Sequence, residues 1–161
     1  MYKALLFSPI VMRTAPASRE RFPHILLVDD NNHGLVARKA VLEELGYRIS
    51  TAKTGEEAFE LYSANIIDVV VTDYKMPKMN GVQLIEKIRN SDKAARIILL
   101  SGFVEPLGLS EASTGADIVI SKSSGEVGNL VRSVTRLLSR KVTRKPPGSH
   151  KSPARSRITQ A

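Results

Sequence analysis

The chain has 161 residues, a formal net charge of +8 and no cysteine, so it has the length of one domain with one core, and a disulfide framework or cysteine-based zinc site is excluded. Any metal must be held by oxygen or histidine ligands. No stretch approaches the roughly 18 uninterrupted apolar residues of a membrane-spanning helix, so a cytoplasmic protein with no membrane partner is expected.

Residues 1–21 carry a charge of +3 and read as a flexible extension. Their apolar run, residues 4–12, lies behind Lys3 and ahead of Ala15-Pro16-Ala17, faintly like a secretory leader; Pro9 interrupts it. Met12 is an alternative start to Met1. From residue 22 to 140 there are 14 Lys and Arg against 15 Asp and Glu, so the folded part is close to neutral and the positive charge belongs to the ends.

Short β-branched runs alternate five times with longer helical patterns in this region, the signature of an α/β fold with a parallel sheet. Residues 25–28 form a continuous apolar run suited to a strand buried on both faces, and it ends in Asp29-Asp30. A helix follows from about Gly34, with Leu35, Val41, Leu42 and Leu45 at helical spacing and Gly46 as its stop. Strand two is expected at 47–52. Thr54 and Glu57 stand in capping-box register for a second helix, in which Ala58, Leu61 and Tyr62 form the apolar stripe.

Strand three, at 67–72, delivers Asp73. A third helix spans about 81–89 with Val82, Ile85 and Ile88 inward, and strand four spans 97–100. Residues 103–114 make a weak fourth helix, because Pro106 and Gly108 interrupt it. Strand five is expected at 118–120, and the last helix at 126–139 has a broad stripe of Val127, Leu130, Val131, Val134, Leu137 and Leu138. The organisation expected is thus an extension at 1–21, a doubly wound domain at 22–141 with a five-stranded parallel sheet flanked by five helices, and a basic disordered tail at 142–161.

In an open parallel sheet, ligands bind outside the carboxyl ends of the strands, where strand order reverses. Asp29 and Asp30 end strand one, Asp73 strand three, Ser101 strand four and Lys122 strand five, so the topology gathers all five at one edge. Carboxylates this close repel by about 4 kcal/mol per pair at about 4 Å and an effective dielectric of about 20. A cation is therefore required, and oxygen ligands suit Mg²⁺, Mn²⁺ or Ca²⁺, with few carboxylates plus water and phosphate being the usual Mg²⁺ arrangement. Lys122 supplies a second positive charge for a phosphoryl oxygen. A carboxylate can accept a phosphoryl group as an acyl phosphate, and the Ser101 hydroxyl can then donate to it.

Taken singly these residues are weak signals: an acidic pair often caps a helix, an Asp before Met-Pro often sits in a turn, and most lysines are solvated. It is their joint spacing that carries the reading. His24 and His33 are expected as surface or capping residues rather than phosphoryl carriers.

Leu27-Val28-Asp29-Asp30, the run Val71-Thr72-Asp73-Tyr74-Lys75-Met76-Pro77-Lys78-Met79-Asn80-Gly81, Leu100-Ser101-Gly102, Gly115-Ala116-Asp117 and Lys122 stand in one order and spacing. In this the chain resembles the response-regulator receiver domains of two-component signalling, single-domain chemotaxis regulators among them, over residues 22–140. The resemblance implies a flavodoxin-like receiver fold, Asp73 as phosphoacceptor, Mg²⁺ bound by Asp29, Asp30, Asp73 and the Lys75 backbone carbonyl, and switch and phosphate-contact roles for Ser101 and Lys122. It implies a sensor histidine kinase or phosphotransfer protein as donor, a downstream protein as target, and a monomer or weak homodimer. The chain would be a phosphoprotein rather than a turnover enzyme, with output by protein contact or phosphorelay because no effector domain follows the last helix.

Two departures stand out. The family usually has proline after the lysine, where this chain has Ser123, and an aromatic residue three before it, where this chain has Val119. They motivate an alternative, a pseudo-receiver that binds partners without phosphorylation. Nucleic acid is not the expected partner, since only the tail is basic, and no dinucleotide fingerprint or P-loop is present. The Asp-x-Asp of dehalogenase-like phosphatases is also missing at strand one.

Overall fold

The computed structural model describes residues 21–140. Apart from Arg21, the N-terminal extension with its leader-like run, and the basic tail, lie outside the described residues. Five strands, β1 (His24–Val28), β2 (Arg48–Ala52), β3 (Val69–Asp73), β4 (Ile97–Ser101) and β5 (Ile118–Ser121), alternate with helices. These are α1 (Asn32–Glu44), α2 (Gly55–Ala64), α3 (Gly81–Ser91), α4 (Val104–Leu107), α5 (Glu111–Thr114) and α6 (Glu126–Ser139). All strand pairs are parallel and the sheet order is β2-β1-β3-β4-β5.

The sheet's two faces follow from side-chain alternation along each strand. Ile25, Leu27, Val69, Val71, Ile98 and Leu100 pack on one side against Leu35 and Leu42 of α1 and Leu130, Val134 and Leu137 of α6. Leu26, Val28, Val70, Ile97 and Leu99 pack on the other against Ala58 of α2 and Leu84, Ile85 and Ile88 of α3. β1, β3 and β4 are buried along their whole length, which is why they read as unbroken apolar runs. Burying each such Leu or Ile contributes on the order of 1.5–3 kcal/mol.

Side chains cap the starts of α1, α2, α3 and α5. Asn31 caps α1 by accepting from the His33 and Gly34 amides. Thr54 caps α2, accepting from the Glu57 amide at 3.1 Å, but the Glu57 carboxylate takes the Lys53 amide, one residue outside the expected reciprocal bond. A complete capping box forms instead on α3, between Asn80 and Gln83.

The fourth of the five expected helices is divided, so the described residues form six. α4 and α5 are four residues each, separated by Gly108 in the left-handed region at φ 58° and by the Ser110 cap that starts α5. Pro106 is accommodated in the first turn of α4, where its missing amide costs nothing. No α4 residue is buried. In Gly115-Ala116-Asp117 the carboxylate lies at the far, N-terminal edge of the sheet, where it accepts from the Ile97 amide at 2.8 Å and from Arg89 at 2.9 Å, tying the start of β4 to the entry of β5.

His24 departs from expectation: it is the first residue of β1 and buried, not a surface residue. Its Nδ1 lies 3.2 Å from the Ile66 carbonyl and its Nε2 2.8 Å from the Ser50 hydroxyl, so a neutral ring donating from Nδ1 is fully satisfied. Burial, helped by the charge of Arg48, holds its pKa below the ordinary 6.5. The unfolded chain therefore binds a proton there more readily than the folded one, and stability falls as pH drops below about 6.5. Urea unfolding at pH 7 and pH 5 should show a smaller loss in His24→Gln than in the wild type; equal losses would remove His24 from the acid response.

Candidate functional site

The carboxyl edge of the sheet brings together most of the residues singled out in the sequence. Asp29 follows β1 directly, its amide bonded to the Ala52 carbonyl at 3.2 Å, and its side chain is buried. Asp30, next along, is exposed. Asp73 is the last residue of β3 and Ser101 the last of β4, both buried. Lys122 follows β5 and continues the pairing, its amide bonded to Ser101 O at 2.9 Å. Asp29, Asp30, Asp73, Lys75 and Lys122 line one cavity of about 430 Å³, together with Pro77, Gly102 and Phe103.

Lys122 spans the floor of this cavity. Its Nζ is 3.2 Å from Asp29 Oδ2 and 3.0 Å from Asp73 Oδ1. Ser101 stands behind the wall: its Oγ accepts from the Phe103 amide at 2.9 Å, so in this state the hydroxyl stabilises the turn leaving β4. Lys75 places its ammonium 5.6 Å from the centre of the Phe103 ring at the rim. Larger hollows between β5 and α6 and around Phe22 and Tyr47 contain no comparable group of carboxylates.

Two residues of the site were not singled out by the sequence reading. Arg38 of α1 is buried, donates from Nη1 to Asp29 Oδ2 at 2.8 Å, and donates from Nε to Glu126 Oε1 at 2.6 Å. Glu126 is the first residue of α6. The signal was present: Arg38 lies three residues after Leu35 and four before Leu42, inside the buried stripe of the helix that follows the acidic pair. A charge there must be paired.

These contacts divide the two buried aspartates. Burial opposes ionisation of Asp29, but the Asn31 amide, Arg38 and Lys122 outweigh it and hold its carboxyl below the ordinary value. Asp73 goes the other way, since burial, added to by the charge of Asp29, raises its pKa against the pull of Lys122. Arg38 is itself held firmly protonated: burial works against its charge and is outweighed by Glu126 and Asp29.

Asp29, Asp30 and Asp73 can each offer one oxygen within 4.8 Å of the others. Asp29, Asp73 and Glu126 pair with two cations, Lys122 and Arg38; with Asp30 and Lys75 added from the cavity lining, four carboxylates face three cations, so the site keeps an excess of negative charge and hard oxygen donors. That donor set fits a small divalent cation such as Mg²⁺.

A parallel sheet in this order, with an acidic pocket where β1 and β3 meet, defines an α/β protein of flavodoxin-like topology with its site at the point of strand-order reversal. Residues 25–135 match the model of the response regulator receiver domain, and the chain belongs to that family, the receiver domains of two-component signalling. The gliding motility regulatory protein of Myxococcus xanthus is 32% identical over 126 residues, covering 76% of this chain; the chain spans only 16% of that relative's length. Among solved structures, the response regulator protein TrrA from Thermotoga maritima, in complex with Mg²⁺-BeF, is 33% identical, with a TM-score of 0.66, covering 73% of this chain and 100% of that one. A receiver domain from Clostridium thermocellum is 27% identical with a TM-score of 0.67, covering 74% and 97%.

The two departures noted in the sequence have local outcomes. No peptide bond among the described residues is cis, so the Lys122–Ser123 bond is trans. Val119, half-buried in β5, packs on the α3 side of the sheet.

The backbone beneath Asp73 leaves no room at Gly81. Its amide bonds the Tyr74 carbonyl at 2.8 Å, and an added Cβ would press into the Asp73 carbonyl oxygen and lie 2.9 Å from a Leu99 methyl. Gly81→Ala should cost about 1–3 kcal/mol in denaturant unfolding. Gly102→Ala, whose Cβ would meet nothing within 4 Å, should stay within about 0.5 kcal/mol of wild type. Equal effects of the two substitutions would contradict the packing described for the β3 end.

Proposed function

We propose that the chain is a phosphorylation-dependent signalling switch in which Asp73 accepts a phosphoryl group from a phosphohistidine of a sensor histidine kinase or phosphotransfer protein. The observation that carries this reading is Lys122, whose single ammonium bridges Asp29 and Asp73 on the floor of an open cavity. An Asp73 oxygen attacks phosphorus, the phosphorus–nitrogen bond breaks, and the imidazole nitrogen keeps the electron pair. Lys122 is placed to neutralise the oxygens of the new acyl phosphate. Mg²⁺, held by Asp29, Asp30, Asp73 and the Lys75 carbonyl, would supply further charge neutralisation to the same oxygens; the Mg²⁺-BeF complex of the Thermotoga relative supports this assignment.

The switch follows from Ser101. In the present state its oxygen accepts from the Phe103 amide, a bond that does not use the hydroxyl proton, and a phosphoryl group on Asp73 gives that proton a charged acceptor. Moving Ser101 draws on the β4–α4 turn, and α4, one turn long with nothing buried, offers little resistance. Output then passes by protein contact or onward phosphoryl transfer, a role suited to the cytoplasm. Val119 favours the second reading, a pseudo-receiver whose partner affinity ignores Asp73.

Incubation with acetyl phosphate and Mg²⁺ should give a slower band on a phosphate-affinity gel, at least tenfold less abundant in Asp73→Asn and in excess EDTA. A band of equal strength in Asp73→Asn would overturn the assignment. Absence of any band in the wild type, with partner affinity unchanged by Asp73→Ala, would establish the pseudo-receiver instead.

A further inference from the structure

The Arg38 guanidinium occupies the one Asp29 oxygen that faces Lys122, and it is held there from behind by Glu126. Three observations mark this as a built arrangement rather than a stray surface ion pair. Arg38, Asp29 and Glu126 have side chains only 9%, 2% and 14% exposed. The two bonds leave from different nitrogens of one planar fork, a geometry that lysine cannot reproduce. Gly34, one turn before Arg38, supplies the space: a Cβ there would meet Arg38 Nη1 at 2.8 Å and Asp29 Oδ2 at 3.3 Å.

Both oxygens of Asp29 are thereby engaged by protein groups. Its Oδ1 accepts from the Asn31 amide at 2.8 Å, and its Oδ2 serves both Arg38 and Lys122. A divalent cation at Asp29, Asp30 and Asp73 must either share Oδ2 with two positive charges or take Oδ1 beside the Asn31 amide, and in both cases it meets a carboxylate whose charge Arg38 and Lys122 already partly neutralise.

We propose that Arg38 is a built-in competitor of the divalent cation, a positioning residue that lowers metal affinity by holding Asp29 and is itself restrained by Glu126. The inference rests on the assignment of the acidic cluster as a metal site. When metal binds, the bond from Arg38 to Asp29 loosens and Glu126 keeps the guanidinium. Since Glu126 opens α6, the occupancy of the pocket is coupled to the end of that helix. The two charges act with opposite sign: Arg38 weakens cation binding, and Glu126 strengthens it by drawing the guanidinium's charge away from Asp29.

The test is Mn²⁺ binding followed by loss of the free-ion paramagnetic resonance signal, on the full chain, with circular dichroism to establish folding. Arg38→Met should bind Mn²⁺ about tenfold more tightly than wild type, roughly 1.4 kcal/mol, whereas Glu126→Gln should bind it more weakly. A purely structural Arg38 predicts the reverse for the first variant, because a loosened Asp29 is a poorer ligand. Equal or weaker Mn²⁺ binding by folded Arg38→Met overturns the proposal. Should that variant not fold, equal or tighter binding by Glu126→Gln does so. If wild type and both variants all fail to bind Mn²⁺, the metal assignment falls and the competition with it; binding by wild type with no gain in Arg38→Met removes the competition alone.

Discussion

The arrangement of this protein turns on the electrostatic cost of bringing Asp29 and Asp73 into a buried pocket with Asp30 at its rim. Unpaired, buried carboxylates of this kind would protonate or unfold the edge that carries them. The fold answers with two cations from distant points of the chain: Lys122 after β5, shared between Asp29 and Asp73, and Arg38 of α1, shared between Asp29 and Glu126. The result is asymmetric. Asp29 is held ionised by its partners, while Asp73 keeps a raised pKa and only Lys122 as its ion-pair partner among the described residues. Of the two, Asp29 is the more firmly held.

The rest of the structure serves to hold these groups at one edge. β1, β3 and β4 are buried on both faces and their ends cannot shift without opening the core. Gly81 lets α3 start directly against the Asp73 carbonyl, and Asp117 fastens the opposite end of β4. Packing is sparse beyond Ser101, where α4 and α5 are single turns with little burial. The segment suited to respond to the phosphorylation proposed for Asp73 is therefore the one that follows Ser101.

The strands and their order of appearance were legible because fully buried parallel strands are continuous apolar runs, and the last helix because its stripe is broad. The site's main residues were legible because each stands where a strand run stops. Elsewhere the sequence is ambiguous for physical reasons. Arg38 looks like any helix-surface arginine until Leu35 and Leu42 are seen to bury their neighbours. His24 reads as a loop residue because the apolar pattern begins after it, yet Ile66 and Ser50 complete its bonds from other strands and loops. The division of the fourth helix depends on Gly108 adopting a left-handed conformation and Ser110 capping a new turn, a choice that Pro106 alone does not dictate. Pairing over long sequence separation, such as the 88 residues between Arg38 and Glu126, leaves no local trace.

The central claim is that the carboxylate at position 73 forms the acyl phosphate, and chemical trapping tests it most directly. Borohydride reduces an acyl phosphate to an alcohol, converting the aspartate that carried it to homoserine, which is then located by peptide mass spectrometry. After incubation with a phosphodonor and Mg²⁺, the account predicts homoserine at residue 73 and at no other aspartate. Homoserine at position 29 or 30, or none at 73 in protein that has gained phosphate, would contradict it.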